Sequence, residues 1–159
     1  MSDLPPLIPA RGAVILCDHL ATMQAGKWLI VGTFTTVICH APEQRFAALP
    51  VYVRAQVEDT REHQLTVRLI VRDLPPHVPS PLPALTRQVA TSDPNVPIEV
   101  GFSCPPFAVQ CPVPFASLGG GKRATVHLTV WAEIDDCPLA SSPLNIVFAA
   151  PRDSKPGQV

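Results

Sequence analysis

The chain has 159 residues, which fits one domain and allows about 70% of the unfolded surface to be buried around a single core. Its formal net charge is −1, from 12 Lys and Arg against 13 Asp and Glu, and this balance excludes the basic surface that binds nucleic acid or anionic membranes. Charged residues make up only 16% of the chain, against about 25% in ordinary soluble domains, which predicts a subunit that buries part of its surface against a protein partner.

Membrane insertion and secretion are not predicted. No apolar run approaches the roughly 18 residues of a membrane-spanning helix, and the first residues, MSDLPPLIPARG, lack the basic and long apolar segments of a secretion signal. The five cysteines are scattered singly, without the CxxC pairs of zinc sites, so reduced thiols are expected. The alternative is that Cys104 and Cys111 form a small disulfide or share a metal site. We expect a cytoplasmic protein with no metal or cofactor.

Proline and polar residues divide the chain into a proline-rich arm at 1–11, a single predicted domain at 12–150 and a polar tail at 151–159. The arm and the segment LPPHVPSPLP at 74–83 favour an extended conformation. Such segments lose little conformational entropy when they bind in a groove, so they are candidate contact segments. The alternative is that they are only stiff loops.

Residues 13–39 are predicted to form two strands joined by a seven-residue loop, with Leu20 facing Trp28 and residues 36–39 projecting past the first strand. Both strands are apolar on both faces, whereas a strand in a half-solvated sheet alternates apolar and polar residues. Gly32 inside the second strand indicates a bulge or a close approach by another backbone. The double-sided pattern predicts a partner surface. Its interface candidates are Trp28, Ile30, Phe34 and Ile38.

No catalytic, cofactor-binding or metal-binding residue is predicted. Asp18 and His19 are adjacent, but neighbours on a strand point to opposite faces, and Asp18 is expected to cap N–H groups of the turn. The five histidines have no HxH or HExxH spacing, and no serine lies in a GxSxG motif. GlyGlyGlyLys at 119–122 lacks the frame of a phosphate-binding loop and precedes a strand.

The middle of the chain contains the most regular alternation. Residues 51–58 and 64–72 alternate apolar and polar side chains around the turn DTREH, which predicts a half-buried antiparallel hairpin. The connection 73–95 is rich in proline and predicts no strand, with at most a helical turn at 84–89. Residues 96–102 predict a strand near a sheet edge, because the proline in it cannot donate to a neighbour.

The C-terminal third is predicted to begin with a second proline-rich connection at 103–118, followed by three glycines and a clear strand at 126–134. The segment IDDCPLASSP turns the chain back, and residues 144–148 complete a final hairpin. About seven strands result, which predicts an all-β fold, an antiparallel β-sandwich of immunoglobulin-like or C2-like type. A closed barrel is the alternative, because the sequence does not fix the pairing across long loops.

The outward face of the strand 126–134 is a second candidate interface. His127, Thr129 and Trp131 share the parity opposite to the apolar residues that face the core. Interfaces are enriched in tryptophan, so this face is predicted to be a docking patch. The alternative is that a loop covers Trp131.

A family resemblance is carried by four features: Asp18 near the end of the first strand, LIVGTF at 29–34, the strand at 63–73 and the ending at 121–147. They match a strand with a final acidic residue, an LIG-F strand, an H-L-V-R-L-V-D strand and a G-Y-F-V-DG-L-PL-V ending. In these the chain resembles a family of bacterial domains of unknown function. The resemblance implies a β-sandwich and no catalytic residues. The chain departs from it in the insert at 74–95 and in IDDC, where the family shows a tighter Asp-Gly turn.

Two functions are compatible with these features. The first is a non-enzymatic structural or accessory subunit that mediates protein–protein assembly, with another protein or with copies of itself. The second is a module that binds a small ligand or a carbohydrate, with the loops at 40–50 and 74–95 as the rim of its site.

Overall fold

The computed structural model describes residues 10–72 and 84–151. This part of the chain is all-β, as predicted, with eleven strands, two single-turn 3₁₀ helices and no α-helix. None of its helical segments has the length and hydropathy needed to cross a bilayer. The extended geometry expected at 74–83, most of the proline-rich arm and most of the polar tail lie outside the described residues.

The strands are numbered in chain order. They are β1 Arg11–Thr22, β2 Trp28–Thr33, β3 Thr36–Cys39, β4 Glu43–Phe46, β5 Leu49–Gln56, β6 His63–Val71, β7 Leu85–Val89, β8 Ile98–Cys104, β9 Phe107–Gln110, β10 Arg123–Ile134 and β11 Cys137–Ala149. The 3₁₀ helices are Gln24–Gly26 and Phe115–Leu118.

Two main sheets and a separate strand pair make up the described fold. The order β2-β1-β5-β8 forms an antiparallel four-stranded sheet, and β3-β11-β10-β6-β7 forms a five-stranded sheet in which β3 runs parallel to β11. The remaining strands, β4 and β9, pair only with each other. The prediction of about seven strands is therefore wrong, because short strands also form in segments that contain prolines and lack a long alternation.

A single hydrophobic cluster joins the two main sheets. Val51 and Val53 of β5 are fully buried in it, as are Leu144, Ile146 and Phe148 of β11. Each of these side chains alternates with a more polar residue or with one that faces away, which is the pattern expected where one face of a sheet meets the core. Burial of each contributes about 1.5–3 kcal/mol, so the alternating strands supply the main stabilisation of the fold.

The two sheets approach each other along both sides. On one side, Gly12 of β1 lies against β11, where a Cβ at position 12 would be 2.6 Å from Leu139 Cγ. On the other, Arg87 of β7 donates a hydrogen bond of 3.2 Å to the carbonyl oxygen of Gly101 in β8. Its guanidinium carbon is 5.3 Å from the ring centroid of Phe102, which is cation–π geometry. The sheets thus curl around the core as a half-barrel.

The predicted hairpin at 51–72 does not form. The two strands alternate as expected, but β5 pairs with β1 and β8, whereas β6 pairs with β10 and β7. The connection between them crosses from one sheet to the other. Alternation shows that one face of each strand meets the core, but it does not distinguish strands that pair from strands that face each other across the core.

The opening hairpin forms with a shifted register. Leu20 pairs with Ile30, and Trp28 pairs with Thr22 instead of Leu20. The shift is two residues, so the predicted faces are unchanged. The second strand ends at Thr33, however, and β3 pairs with β11 of the other sheet. Ile38 is consequently not part of the hairpin, which corrects its predicted position.

Strands also replace parts of the predicted connections. The segment at 84–89 forms β7 on the edge of the five-stranded sheet, not a helical turn, and β9 lies within the predicted crossing at 103–118. The edge strand at 96–102 is confirmed as β8, and the final hairpin is confirmed as β10 and β11. Its turn is tighter than expected. Asp135 and Asp136 alone form it, with φ of 50° and 63°, so β11 begins at once after them.

Candidate functional site

The outer face of the five-stranded sheet brings together four of the seven predicted interface residues. We call it the outer patch and define it by Ile38, Ile70, His127, Thr129, Trp131, Pro143 and Val147. Thr129 is in register with Ile70 on one side and Pro143 on the other, and Val147 is in register with Ile38. Ile38 is 60% exposed and Ile70 is 43% exposed. A solvated face normally carries polar residues, so the exposed apolar side chains of this face depart from that pattern.

The charges around Trp131 neutralise one another. The indole N–H of Trp131 donates to Oε1 of Glu133 over 3.1 Å, and Nε of Arg68 donates to Oε2 of the same carboxylate over 3.3 Å. This carboxylate therefore holds the half-buried indole and balances the guanidinium. The ring is anchored within its own sheet and its remaining surface faces outward.

His127 is also engaged on the same face. Its Nδ1 lies 2.7 Å from Oδ1 of Asn145, within hydrogen-bond distance. The residues are in register across β10 and β11. This polar pair lies between two groups of the patch. On one side are Ile70, Thr129 and Pro143, and on the other are Val147 and Ile38. The exposed apolar side chains of the outer patch are thus interrupted by this polar pair, and Arg68 and Ser141 flank the patch in register with Trp131.

Trp28 and Ile30, two other predicted interface residues, lie away from this patch. The Trp28 ring packs edge to face against Tyr52, with centroids 5.9 Å apart. A Cβ at Gly101 would lie 2.8 Å from the Trp28 ring and 2.7 Å from Leu20. Since Gly101 belongs to β8, at the far edge of the sheet from β2, the tip of the hairpin must fold back across β5. Trp28 therefore contributes to an internal contact, and Ile30 is half-buried on the same side of β2.

The other side of the hairpin is open. Leu29 is 41% exposed and Val31 is 47% exposed, and their neighbours in register on β1 are Ala21 and His19. The expectation that both faces of this hairpin are covered thus holds for only one face within the described chain. The remaining face is a small apolar surface at a sheet edge.

Phe34 lies between the two sheets. It is half-buried against the core, and it lines an open groove of about 440 Å³ that we call the Asp18 groove. The groove is bounded by β1, β2, β3, β4 and the start of β5. Phe46, which also lines the groove, stacks on Phe107 with centroids 4.8 Å apart and planes at 14°. Both rings are held by neighbours, so the groove has fixed aromatic walls.

Asp18 gives this groove its charge. It is exposed, and within the described ranges it makes no hydrogen bond or ion pair. Its carboxylate reaches the space beside Gly32, whose φ is +67°, so the close approach at this glycine comes from a side chain rather than from another backbone. The predicted cap of a turn by Asp18 is wrong, because β1 continues to Thr22. Next to it, burial and the Asp18 charge raise the pKa of the Cys17 thiol.

Tyr52 makes a side-chain hydrogen bond below the hairpin tip. Its hydroxyl donates a hydrogen bond to Oε1 of Glu99 on β8. Burial, the hydrogen bond to this carboxylate and its negative charge raise the pKa of Tyr52 to about 12, against a smaller lowering by Arg54. The phenol is neutral over the physiological range and acts as a fixed donor between β5 and β8.

A buried histidine links the crossover loop to the β10–β11 turn. His63 is 5% exposed, with Nδ1 2.7 Å from Oδ2 of Asp135 and Nε2 2.8 Å from Oδ1 of Asp59. Arg61 contacts the same two carboxylates, at 3.0 Å and 3.2 Å. The backbone N–H of Gln64 also donates to Asp135, over 2.9 Å. This cluster is not predicted from the sequence. The spacing of Asp59, Arg61 and His63 was a local signal, but the partner in the distant turn had none.

Both aspartates of this cluster are more acidic than usual. Burial by itself raises the pKa of Asp135, but the Gln64 N–H, the hydrogen bond and charge of His63 and the charge of Arg61 together lower it. For Asp59, burial is again the largest single effect and raises the pKa, but the Arg61 N–H, the hydrogen bond and charge of His63 and the charge of Arg61 together lower it. Both carboxylates are engaged by the imidazole of His63 and the guanidinium of Arg61. The cluster acts as a structural tie.

The cysteines and acidic residues do not assemble a metal centre in the described part of the chain. All five thiols are free, and the disulfide considered between Cys104 and Cys111 is not present. Burial raises the pKa of Cys104 to about 11, so this thiol is protonated and unreactive at neutral pH.

No known family model matches this chain, and no curated protein is significantly similar to it.

Proposed function

We propose that this protein is a non-enzymatic assembly subunit that binds a protein partner through the outer patch. One observation carries the proposal: the strand order of the five-stranded sheet places exposed Ile38 and Ile70, with the Trp131 ring between their strands, on a face that solvent would otherwise contact. Such a face costs solubility unless a partner covers it.

The charges favour an apolar partner surface with little net charge. The guanidinium of Arg68 is paired with the carboxylate of Glu133. A strongly acidic or strongly basic partner would therefore not form a new ion pair with either of these side chains without breaking the existing one. The low charge content of the whole chain supports the same conclusion. The partner is a different protein or a second copy of this chain, and nucleic acid is not expected.

The architecture supports a scaffolding role. Two sheets that face a common core have the layout of a β-sandwich, and we infer an immunoglobulin-like or C2-like sandwich with curled sides. The resemblance to a family of bacterial domains of unknown function stays a prediction. The free thiols are compatible with the reducing cytoplasm.

Site-specific cross-linking tests the proposal. A photoreactive amino acid is introduced at position 38, and a matched protein carries it at Val96, which is 55% exposed and lies outside the patch. In native cells we expect a discrete adduct from position 38 and none from position 96, identified by mass spectrometry. Adding Ile70→Lys should weaken binding of the identified partner about tenfold or more, because a charge then enters an apolar contact. Equal labelling at both positions, with a monodisperse monomer in sedimentation velocity, would contradict it.

A small-ligand site is the second candidate function. The observation that favours it is the Asp18 groove, whose volume of about 440 Å³ falls within the range of about 300–1,000 Å³ typical of ligand sites. Its lining includes Gln44 and Phe46, which lie in the predicted rim at 40–50. Neither tryptophan lines this groove, and it has a single carboxylate, so carbohydrate is the less favoured ligand.

A further inference from the structure

The Asp18 groove has one sign of charge. Among residues 10–72 and 84–151, Asp18 is the only charged residue in its lining, and no lysine or arginine pairs with it. A carboxylate that faces an open groove without a partner favours a positively charged group there. The groove is therefore expected to select ligands by their charge as well as by their shape.

The neutral polar groups around the groove favour donors in the ligand. The side-chain amide of Gln44 donates its own N–H to the carbonyl of Arg45 over 2.9 Å, which leaves Oε1 as an acceptor. The thiol of Cys17 is directed to the carbonyl of Pro50. Thr33 and Thr36 supply hydroxyls at the rim. A group with several N–H donors satisfies these acceptors better than an alcohol or a carboxylate does.

The phenylalanine side chains that line the groove favour an apolar group in the rest of the ligand. Phe34 is half-buried against the core, and Phe46 is fixed by its stack on Phe107. Rings held in this way give apolar contact, and their faces attract a cation. The groove is too small for a folded domain, and its volume of about 440 Å³ suits a small organic ligand.

We infer that the Asp18 groove binds a small organic ammonium ion, with its cationic nitrogen on the Asp18 carboxylate and its apolar body in contact with Phe34 and Phe46. The inference rests on the second candidate function and is independent of the outer patch. The close fit between Asp18 and Gly32 holds the carboxylate at the groove, because no side chain at position 32 displaces it.

Titration of the full-length protein with matched probes tests this inference. Phenethylammonium, 2-phenylethanol and phenylacetate share one ring and differ in charge, and binding is followed by ¹H–¹⁵N correlation spectra. We expect phenethylammonium to shift the amide signals of Gly32, Thr33 and Gln44. The neutral alcohol should bind about tenfold more weakly or worse, and phenylacetate should not bind.

Variants distinguish the effect of the Asp18 charge on binding from the effect of the shape of the groove. Asp18→Asn should weaken binding of phenethylammonium about tenfold, whereas Glu58→Gln, an exposed carboxylate outside the groove, should leave it unchanged. Equal binding of the ammonium and the alcohol, unaffected by Asp18→Asn, would overturn the ammonium assignment and leave a neutral ligand site. No shift with any probe would overturn the site as well. The comparison of probes uses the unmodified protein, so it decides the matter even if the Asn variant does not fold.

Discussion

Asp18 lies directly across the β1–β2 pairing from Gly32, and its carboxylate occupies the space that a side chain at position 32 would need. The neighbouring pairs, Cys17 with Thr33 and His19 with Val31, place the two residues opposite each other. An ideal Cβ at position 32 would lie 2.1 Å from Oδ2 of Asp18. Gly32 is thus required for two reasons, its φ of +67° and this contact.

Gly32→Ala should destabilise the protein by about 2 kcal/mol or more, because the strain of a positive φ adds to the clash with Asp18. The matched control is Gly26→Ala. Gly26 also has a positive φ, +71°, but a Cβ there meets nothing within 4 Å. It should cost about 1 kcal/mol. Urea unfolding of both variants measures the difference.

The double variant isolates the contact. In an Asp18→Ala background, Gly32→Ala should cost less than in the unmodified protein, because the carboxylate is gone and only the backbone strain and a tight contact of 3.0 Å with the Cβ at position 18 are left. A penalty at position 32 that is the same with and without Asp18 would mean that the two residues do not share this space.

Gly101→Ala tests whether the hairpin tip folds back over the four-stranded sheet. A Cβ at position 101 would meet Leu20 and Trp28 within 2.8 Å, so the tip must move or the sheet must deform. We expect a loss of about 1–3 kcal/mol, the cost of overpacking. Gly119→Ala is the control, because it has an ordinary φ of −59° and open space at its Cβ. Equal stability of the two variants in urea unfolding, with unchanged Trp fluorescence, would place the tip elsewhere.

The features that could be predicted from sequence are those that alternation encodes. The strand at 126–134 and its outward Trp131 were predicted correctly, because one face of a long strand meets the core. The pairing partners of β5 and of β6 were predicted wrongly, because strands on opposite sides of the core alternate in the same way as strands that pair. The short strands β4 and β9 also escaped prediction, since four residues carry too little pattern.

The candidate site residues also divide into those that local alternation predicts and those that depend on contacts distant in sequence. Sequence identified His127, Thr129 and Trp131 as neighbours, because they share one strand and one parity. It placed Ile38 on the opening hairpin, because nothing in the local pattern shows that the chain leaves one sheet at Phe34 and joins the other in a parallel pair. Contacts between residues far apart in sequence, which create the Asp18 groove, leave no periodic signal.

Tyr52 should titrate with a pKa of about 12, above its ordinary value of 10.0. The chain has one tyrosine, so absorbance at 295 nm reports this phenol alone. Because the pKa is higher in the folded state, the stabilisation is complete below about pH 10 and is lost as the pH rises through 12.

Glu99→Gln should move the Tyr52 pKa back towards 10.0, because it removes the charge that favours the neutral phenol and leaves burial as the main cause. Glu58→Gln should not move it, since that residue is outside the contact. A phenol that titrates at the same pH in Glu99→Gln as in the unmodified protein would show that burial alone sets the shift.

Asp135→Asn should destabilise the protein at neutral pH, by about 1–3 kcal/mol, because it removes an ionised acceptor from His63, Arg61 and the Gln64 N–H. The pKa of Asp135 is lowered in the folded state, so its contribution is fully present above the ordinary value of 3.8 and disappears as the pH falls through the folded value. The stability difference between variant and unmodified protein should therefore shrink below about pH 4. Asp136→Asn, in the same turn, is the control and should show no such difference. Urea unfolding at pH 7, 4 and 3 measures it, and a difference that stays constant with pH would mean that the cluster does not bind Asp135 as an anion.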